Sequence, residues 1–359
     1  MRAAEAPRRR PLMHTTRRTV HGTAAALAAS ALVLSACSGS GAAEEDSGAA
    51  SGEGFPVTVE HAFGETTVEA PPERVASVAW GNHEAALALG VVPVIMEKAT
   101  WGDDDGNGVL PWVEDKVEEM GAEMPATYDP TDGIDFEAIA DAQPDVILAG
   151  YSGLTQEEYD TLSKIAPVAA YPDTPWGSTW QDTLRIDGQA LGKEAEAEEE
   201  ISRLEGVIDE KAQAREHLAG AAGAYVYAEP TDLSSISLYT THDPRVAFLE
   251  ELGMETPAAV AKRSEETEEF MFSESAETAA DSFSDVDVVL TYGGDAEAAD
   301  LLTGDALLKK IPAVEQGAIA KIPADGPVAA ALNPSPLNIE SAHMDDALDA
   351  VDAAAAQSR

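Results

Sequence analysis

"GKEAEAEEEISRLEGVIDEKAQAREHLAG", residues 192–220, contains no proline, is rich in alanine and glutamate, and places Ile201, Leu204, Ile208 and Ala212 at helical spacing. One long helix is expected here, rising about 1.5 Å per residue and long enough to bridge two folded bodies. On either side the pattern is different. Before it, short apolar runs "VASVAW" (75–80), "VVPVIM" (91–96), "DVILAGY" (145–151) and "PVAAY" (167–171) are separated by helical stretches such as "HEAALALG" (83–90) and "TQEEYDTLSKIA" (155–166). After it, "AYVYAEP" (224–230), "ISLYTT" (236–241), "VDVVLTYG" (286–293) and "AIAKIP" (318–323) form a second set of strand-like runs. Strands alternating with helices argue for parallel sheets with crossover helices. The expected fold is α/β: two Rossmann-like lobes joined by one long α-helix, with a ligand cleft between the lobes.

The first 54 residues carry a different signal. Six of the 22 Lys and Arg residues (Arg2, Arg8, Arg9, Arg10, Arg17 and Arg18) precede the apolar run "TVHGTAAALAASALVLSAC", which is too short for a stable membrane span. The only cysteine, Cys37, closes that run, so no internal disulfide is available. Leu34-Ser35-Ala36-Cys37 resembles a bacterial lipobox, in which the cysteine becomes the lipidated first residue. Thr16-Arg17-Arg18 resembles part of a twin-arginine signal, and Sec export stays open. "SGSGAAEEDSGAASGEG" (38–54) has nothing to bury and is expected to be a flexible tether. The expected division is a signal peptide over 1–36, a lipid-anchored linker over 37–54, a first lobe over 55–191, the helix over 192–220 and a second lobe over 221–359.

Composition excludes one class of partner. With 66 acidic against 22 basic residues the formal charge is −44, and a surface this anionic has no electrostatic reason to approach nucleic acid. The same acidity complicates the one metal motif. "DDDGNGVLPWVE" (103–114) matches a calcium loop, with Asp103, Asp105 and Asn107 at the first three ligand positions, Gly108 at the turn and Glu114 at the twelfth. The segment before it reads as strand and turn rather than helix, so an EF-hand pair is not expected and the loop is at most a structural site. Catalytic signals are thin. "GYSGL" (150–154) has its second glycine one place too early for a nucleophile elbow, and His61, His83, His217, His242 and His343 have no metal spacing. No enzyme is expected.

Three stretches resemble one family. "FPVTVEHAFGETTVEAPPERVASVAWGNHEAALALGVVPV" (55–94), "DFEAIADAQPDVILAGYSGLTQEEYDTLSKIAPV" (135–168) and "DPRVAFLEELGM" (243–254) are similar to iron–siderophore substrate-binding lipoproteins of ABC importers. The resemblance spans nearly all of residues 55–356. It implies two α/β lobes joined by a single helix, a ferric siderophore as ligand with no further cofactor, and delivery by one copy of the protein to an ABC permease and its ATPase. It also implies an outer-face position on the cytoplasmic membrane through a lipid anchor.

Several residues acquire roles through that resemblance. Thr155 and Glu158 form a capping box that leaves Glu157 pointing outward, and Ser275-Ala-Glu277 repeats the cap-x-Glu pattern. In the family one exposed glutamate on each lobe docks on permease arginines, which assigns that role to Glu157 and Glu277; helix-start acids favouring the dipole are the plain alternative. Trp80, Trp101, Tyr151, Trp180, Tyr239 and Tyr292 fall at strand ends or loops where a cleft would lie. Arg245 opens a helix against its dipole, and the family implies that it bonds the iron-bound oxygens; a salt bridge to a nearby acid is the alternative. Few cations remain to hold a triply negative catecholate complex, so a hydroxamate is favoured. A cobalamin or haem receptor of the same fold, a calcium-stabilised surface interaction protein and an exported hydrolase are the other readings.

Overall fold

A computed structural model of the chain describes residues 54–292, 297–323 and 325–358. The leader, Cys37 and all but the last residue of the expected linker lie outside the described residues.

A hairpin comes first, β1 (Val57–His61) and β2 (Gly64–Val68), additional to the strands expected from sequence. Gly64 at φ +119° makes its turn. The first large sheet then contains β3 (Val75–Ser77), β4 (Ile95–Glu97), β5 (Ala126–Tyr128), β6 (Val146–Ala149) and β7 (Val168–Ala170) in the order β5-β4-β3-β6-β7. All its pairings are parallel. Strands β3, β6 and β7 are buried throughout, as expected where helices cover both faces, while the edge strand β5 buries only Tyr128. Those helices are α1 (Asn82–Ala88), α2 (Pro111–Glu119), α3 (Phe136–Asp141), α4 (Gln156–Leu162) and α5 (Trp180–Ala190).

The long helix α6 runs over Glu194–Gln213, shorter than the 192–220 stretch that suggested it. At twenty residues it extends about 30 Å. Beyond Gln213 the chain turns, and Leu218 is drawn into the core while the Arg215 side chain bonds back to the Lys211 carbonyl. Ala197, Ile201, Leu204 and Ile208 form its buried stripe. Its first half packs on α5, where Gly188 permits close approach: a Cβ there would stand 2.7 Å from Cβ of Ala197. Its far end is pinned to the last helix by Lys211 on Asp345 (2.6 Å) and Arg215 on Asp349 (2.8 Å).

The second sheet contains β8 (Gly223–Tyr227), β9 (Ser235–Tyr239), β10 (Met271–Ser275), β11 (Val288–Tyr292) and β12 (Ile319–Ile322), ordered β10-β9-β8-β11-β12. It is mixed, which corrects the expectation of parallel sheets throughout. β9 pairs antiparallel with both β8 and β10. The connection from Ala228 to Ser234 is too short for a crossover helix, so the chain can only turn back. Its helices are α7 (Pro244–Glu251), α8 (Ala258–Ser264), α9 (Ala276–Ser282), α10 (Glu297–Gly304), α11 (Pro312–Gln316), α12 (Pro327–Ala331) and α13 (Ala342–Ala355). One buried apolar cluster is continuous from Leu87 and Leu184 through Leu204 to Phe248, Leu290 and Leu348. The two lobes therefore share a core along the helix that joins them.

Candidate functional site: the interlobe cleft

In the order β5-β4-β3-β6-β7 the chain winds outward from β3 in one direction, then returns to β6 and winds in the other. The switch point lies between β3 and β6, and in open α/β sheets ligands bind outside the carboxyl ends of the strands at such a point. Trp80 follows β3 and Tyr151 follows β6. The turn at Trp80 is tight, with Ala79 at φ +62° and Gly81 at φ +80°, both left-handed. Tyr151 packs edge-on against Trp176 with centroids 5.3 Å apart, and Trp80 lies 6.0 Å from Trp101.

Opposite these aromatics stands the second lobe. Trp80, Tyr151, Trp180, Pro244, Asn333 and Ser335 line a cavity of about 20 Å³ between the lobes. That is room for about one water molecule. Beside it a wider groove of about 360 Å³ is lined by Lys98, Trp101, Gly102, Asp103 and Asp325. Three contacts hold the lobes across this region. The Ser335 hydroxyl donates to the Glu84 carboxylate, both groups buried. The Gly102 amide donates to Oδ1 of Asp325 at 2.8 Å, and a Cβ on Gly102 would lie 2.5 Å from Cβ of Ala330. The Trp180 indole donates to Oε2 of Glu251 at 3.2 Å. Burial pushes the Glu84 carboxyl up to about 7 against the pull of the Ser335 hydroxyl, and raises Glu251 above its ordinary value.

Tyr239 and Arg245 form a separate cluster in the second lobe. The Arg245 guanidinium lies 4.2 Å from the Tyr239 ring centroid. Its Nε and Nη2 donate to the two oxygens of Asp243 at 2.8 and 2.6 Å. Asp243 caps α7 and is buried, which explains how an arginine is tolerated at that helix start. The guanidinium is salt-bridged to Asp243 and held beside the aromatic cluster of Tyr225, Tyr239 and Phe270.

The other expected residues divide clearly. Trp80, Tyr151 and Trp180 share the cavity, although Trp180 is 3% exposed and serves mostly as core. Trp101 lines the adjacent groove. Tyr292 ends β11, and its side chain is outside the description. The Thr155–Glu158 capping box is present, and Glu157 is exposed. Ser275 caps α9 and Glu277 is exposed.

The 103–114 loop folds on its own amides: Asp103 accepts from the N–H groups of Asp105, Gly106 and Gly108, and Asn107 accepts from Val109. The Asn107 amide donates to Glu114 at 2.6 Å. α2 follows with Pro111 at its first turn, and the element leading into the loop is strand β4 rather than a helix. Asp103, Asp104 and Asp105 are the one group of three metal-ligand side chains gathered among the described residues, and protein donors alone account for the loop's shape.

Sequence reasoning passed over Asn82, Glu84, Trp176 and Ser335. Trp176 is 38% exposed with left-handed φ (+60°), a conformation uncommon for a bulky residue.

Residues 75–325 match the model of one family, described as periplasmic binding protein. The chain belongs to the periplasmic binding protein family. Its relatives include the probable siderophore-binding lipoprotein YfiY of Bacillus subtilis strain 168, 28% identical over 80% of this chain and 85% of that one. The Fe(3+) dicitrate-binding periplasmic protein FecB of Escherichia coli K12 is 27% identical over 58% of this chain and 64% of its own. Among solved structures, PiaA of Streptococcus pneumoniae TIGR4 in complex with ferrichrome is similar at a TM-score of 0.80, with 42% identity over 84% of this chain and all of that one. A periplasmic binding protein of this kind binds substrate and is not an enzyme. In this one the two lobes face each other across the Trp80–Tyr151 edge.

Proposed function

We propose that this periplasmic binding protein is the extracytoplasmic receptor of an ABC importer, capturing a ferric siderophore of the hydroxamate class between its lobes. The observation that carries the reading is the placement of Trp80 and Tyr151 side by side at the switch point, facing Pro244 of the second lobe. Aromatic faces suit the apolar backbone of a siderophore wrapped around its iron. No basic side chain lines that cavity among the described residues, and the nearest candidates, Lys98 and Arg245, do not form a cluster. A neutral trihydroxamate complex suits such a surface better than a triply negative catecholate. The likeness to ferrichrome-bound PiaA supports the same ligand class.

Ligands of this size occupy pockets of roughly 300–1,000 Å³. The 20 Å³ cavity must therefore open into the neighbouring groove as the lobes part. The lipobox reading of Cys37 supports tethering at the outer face of the cytoplasmic membrane, with the first lobe over 55–191 and the second over 221–359. One copy delivers its ligand to the permease, which an ATPase drives, through Glu157 and Glu277.

The test is titration of the purified protein with ferrichrome, a ferric catecholate, haem and cobalamin, following tryptophan emission. Saturable quenching by ferrichrome at micromolar concentration or below is expected. A response only to haem or cobalamin moves the protein to another ligand, and none to any of the four removes the receptor reading.

A further inference from the structure

Two loops carry Trp80 and Tyr151, and one buried side chain joins them. Asn82, the first residue of α1, has no exposed surface. Its Nδ2 donates to the carbonyls of Val78 (2.7 Å) and Tyr151 (2.9 Å), with the Trp80 carbonyl at 3.3 Å. Its Oδ1 accepts from the Tyr151 amide at 2.8 Å. The assignment of oxygen and nitrogen is forced, because a flipped amide would set its oxygen against three carbonyls.

The geometry has a specific consequence. The Asn82 amide engages both the N–H and the C=O of Tyr151, as a neighbouring strand would, at the point where β3 and β6 have already ended. Without it the Tyr151 N–H and C=O would lose these two bonds in a half-buried place, where water replaces them incompletely. The two NH₂ protons serve three carbonyls, so the Val78–Trp80 turn and the 150–152 loop are held by the same group. The Ser152 carbonyl then accepts from the Trp176 amide at 2.9 Å, and Ser178 donates to the Gly150 carbonyl at 2.6 Å. Three loops become one rim, with Asn82 as its centre.

We propose that Asn82 is a positioning residue for ligand capture: it touches no ligand, and holds Trp80 and Tyr151 in the arrangement that the ligand meets. This rests on the receptor reading above. Pre-set aromatic surfaces bind more tightly because less ordering is lost on association.

Asn82→Asp is the sharpest variant. It keeps shape and the acceptor for the Tyr151 amide, but turns a carboxylate toward three carbonyl oxygens. Asn82→Ser, smaller and neutral, is the second variant where Asn82→Asp accumulates unfolded. Both are compared with the wild-type chain by ferrichrome titration, and in the ligand-free state by near-ultraviolet circular dichroism and hydrogen exchange. Expected are a ten- to hundredfold loss of ferrichrome affinity, exchange at the Tyr151 amide at least tenfold faster, and an altered tryptophan dichroism band with far-ultraviolet spectra unchanged. Wild-type affinity in a folded variant overturns the proposal. If the wild-type chain itself takes no siderophore, the receptor reading fails, and the ligand-free arm decides alone: unchanged exchange at Tyr151 then overturns the role given to Asn82.

Discussion

The Ser335 hydroxyl donates to the Glu84 carboxylate across 251 positions of sequence, joining α1 of the first lobe to the segment between α12 and α13. Both side chains are buried, Glu84 completely. Ser335→Ala takes away the donor and leaves a buried acceptor without that bond, which costs about 1–3 kcal/mol. Chemical denaturation is expected to show the loss as a lower midpoint at unchanged slope. An unaltered midpoint would mean that the contact contributes nothing to holding the lobes together.

Acidity acts on two adjacent residues in opposite senses. Burial raises Glu84 from 4.5 to about 7, so the stability tied to its proton is complete below about pH 4.5 and lost as pH rises through about 7. Asp187, fully buried, shifts in the same direction. Burial lowers His83 from 6.5 to about 4, so its contribution is complete above pH 6.5 and lost as pH falls through about 4. Between about pH 4.5 and 6.5 the slopes of Glu84 and His83 oppose each other. In Glu84→Gln, scanning calorimetry should show a shallower fall in melting temperature above pH 6.5 than in the wild type, and a steeper one from 6.5 down to 5. Superimposable profiles would sink this account.

Gly102 and Gly106 offer a matched pair. Both are left-handed, at φ +86° and +83°, but a Cβ on Gly102 meets Ala330 of the other lobe whereas one on Gly106 meets nothing within 4 Å. Each alanine variant carries a backbone cost of about 1–2 kcal/mol. Only Gly102→Ala should also push the lobes apart, read as an increased radius of gyration in solution scattering. Equal scattering from the two variants would show that the Gly102–Ala330 approach does not set the spacing.

Docking is separable from capture. Glu157→Ala with Glu277→Ala removes two exposed carboxylates and no cavity-lining side chain. Ferrichrome affinity should stay within twofold, while iron uptake by cells carrying the double variant drops at least tenfold. Normal uptake would return both residues to ordinary helix-start acids.

What the sequence disclosed followed the range of the interactions involved. The Thr155–Glu158 box was legible because its partners lie three residues apart, and α6 because its stripe repeats every turn. Strand direction in the second lobe was not. β9 has the same apolar alternation whichever way it runs, and only the shortness of 228–234 decides the matter. β10 was hidden in "MFSES", an edge strand with little buried surface and glutamates nearby. Trp80 and Tyr151, which line the cavity, could be named because each closely follows a strand end, but the same reasoning also named Tyr239, which lies in a separate cluster. Asn82 and Ser335 could not be named, since a polar residue near a helix start has nothing local to distinguish it, and their partners lie 69 and 251 positions away.

Helix α6 is fastened at both ends, by the glycine-to-alanine seat on α5 and by the Lys211 and Arg215 clamp on α13. A strut held this way works as a caliper with a stiff screw. Glu157 and Glu277 stand on opposite jaws, and the strut limits how far the gap between them can change as the jaws part to take cargo. A membrane partner that measured this gap would learn that a receptor had arrived, and little about its load. Loaded and empty receptors would then differ for that partner in how firmly the jaws resist being pulled open.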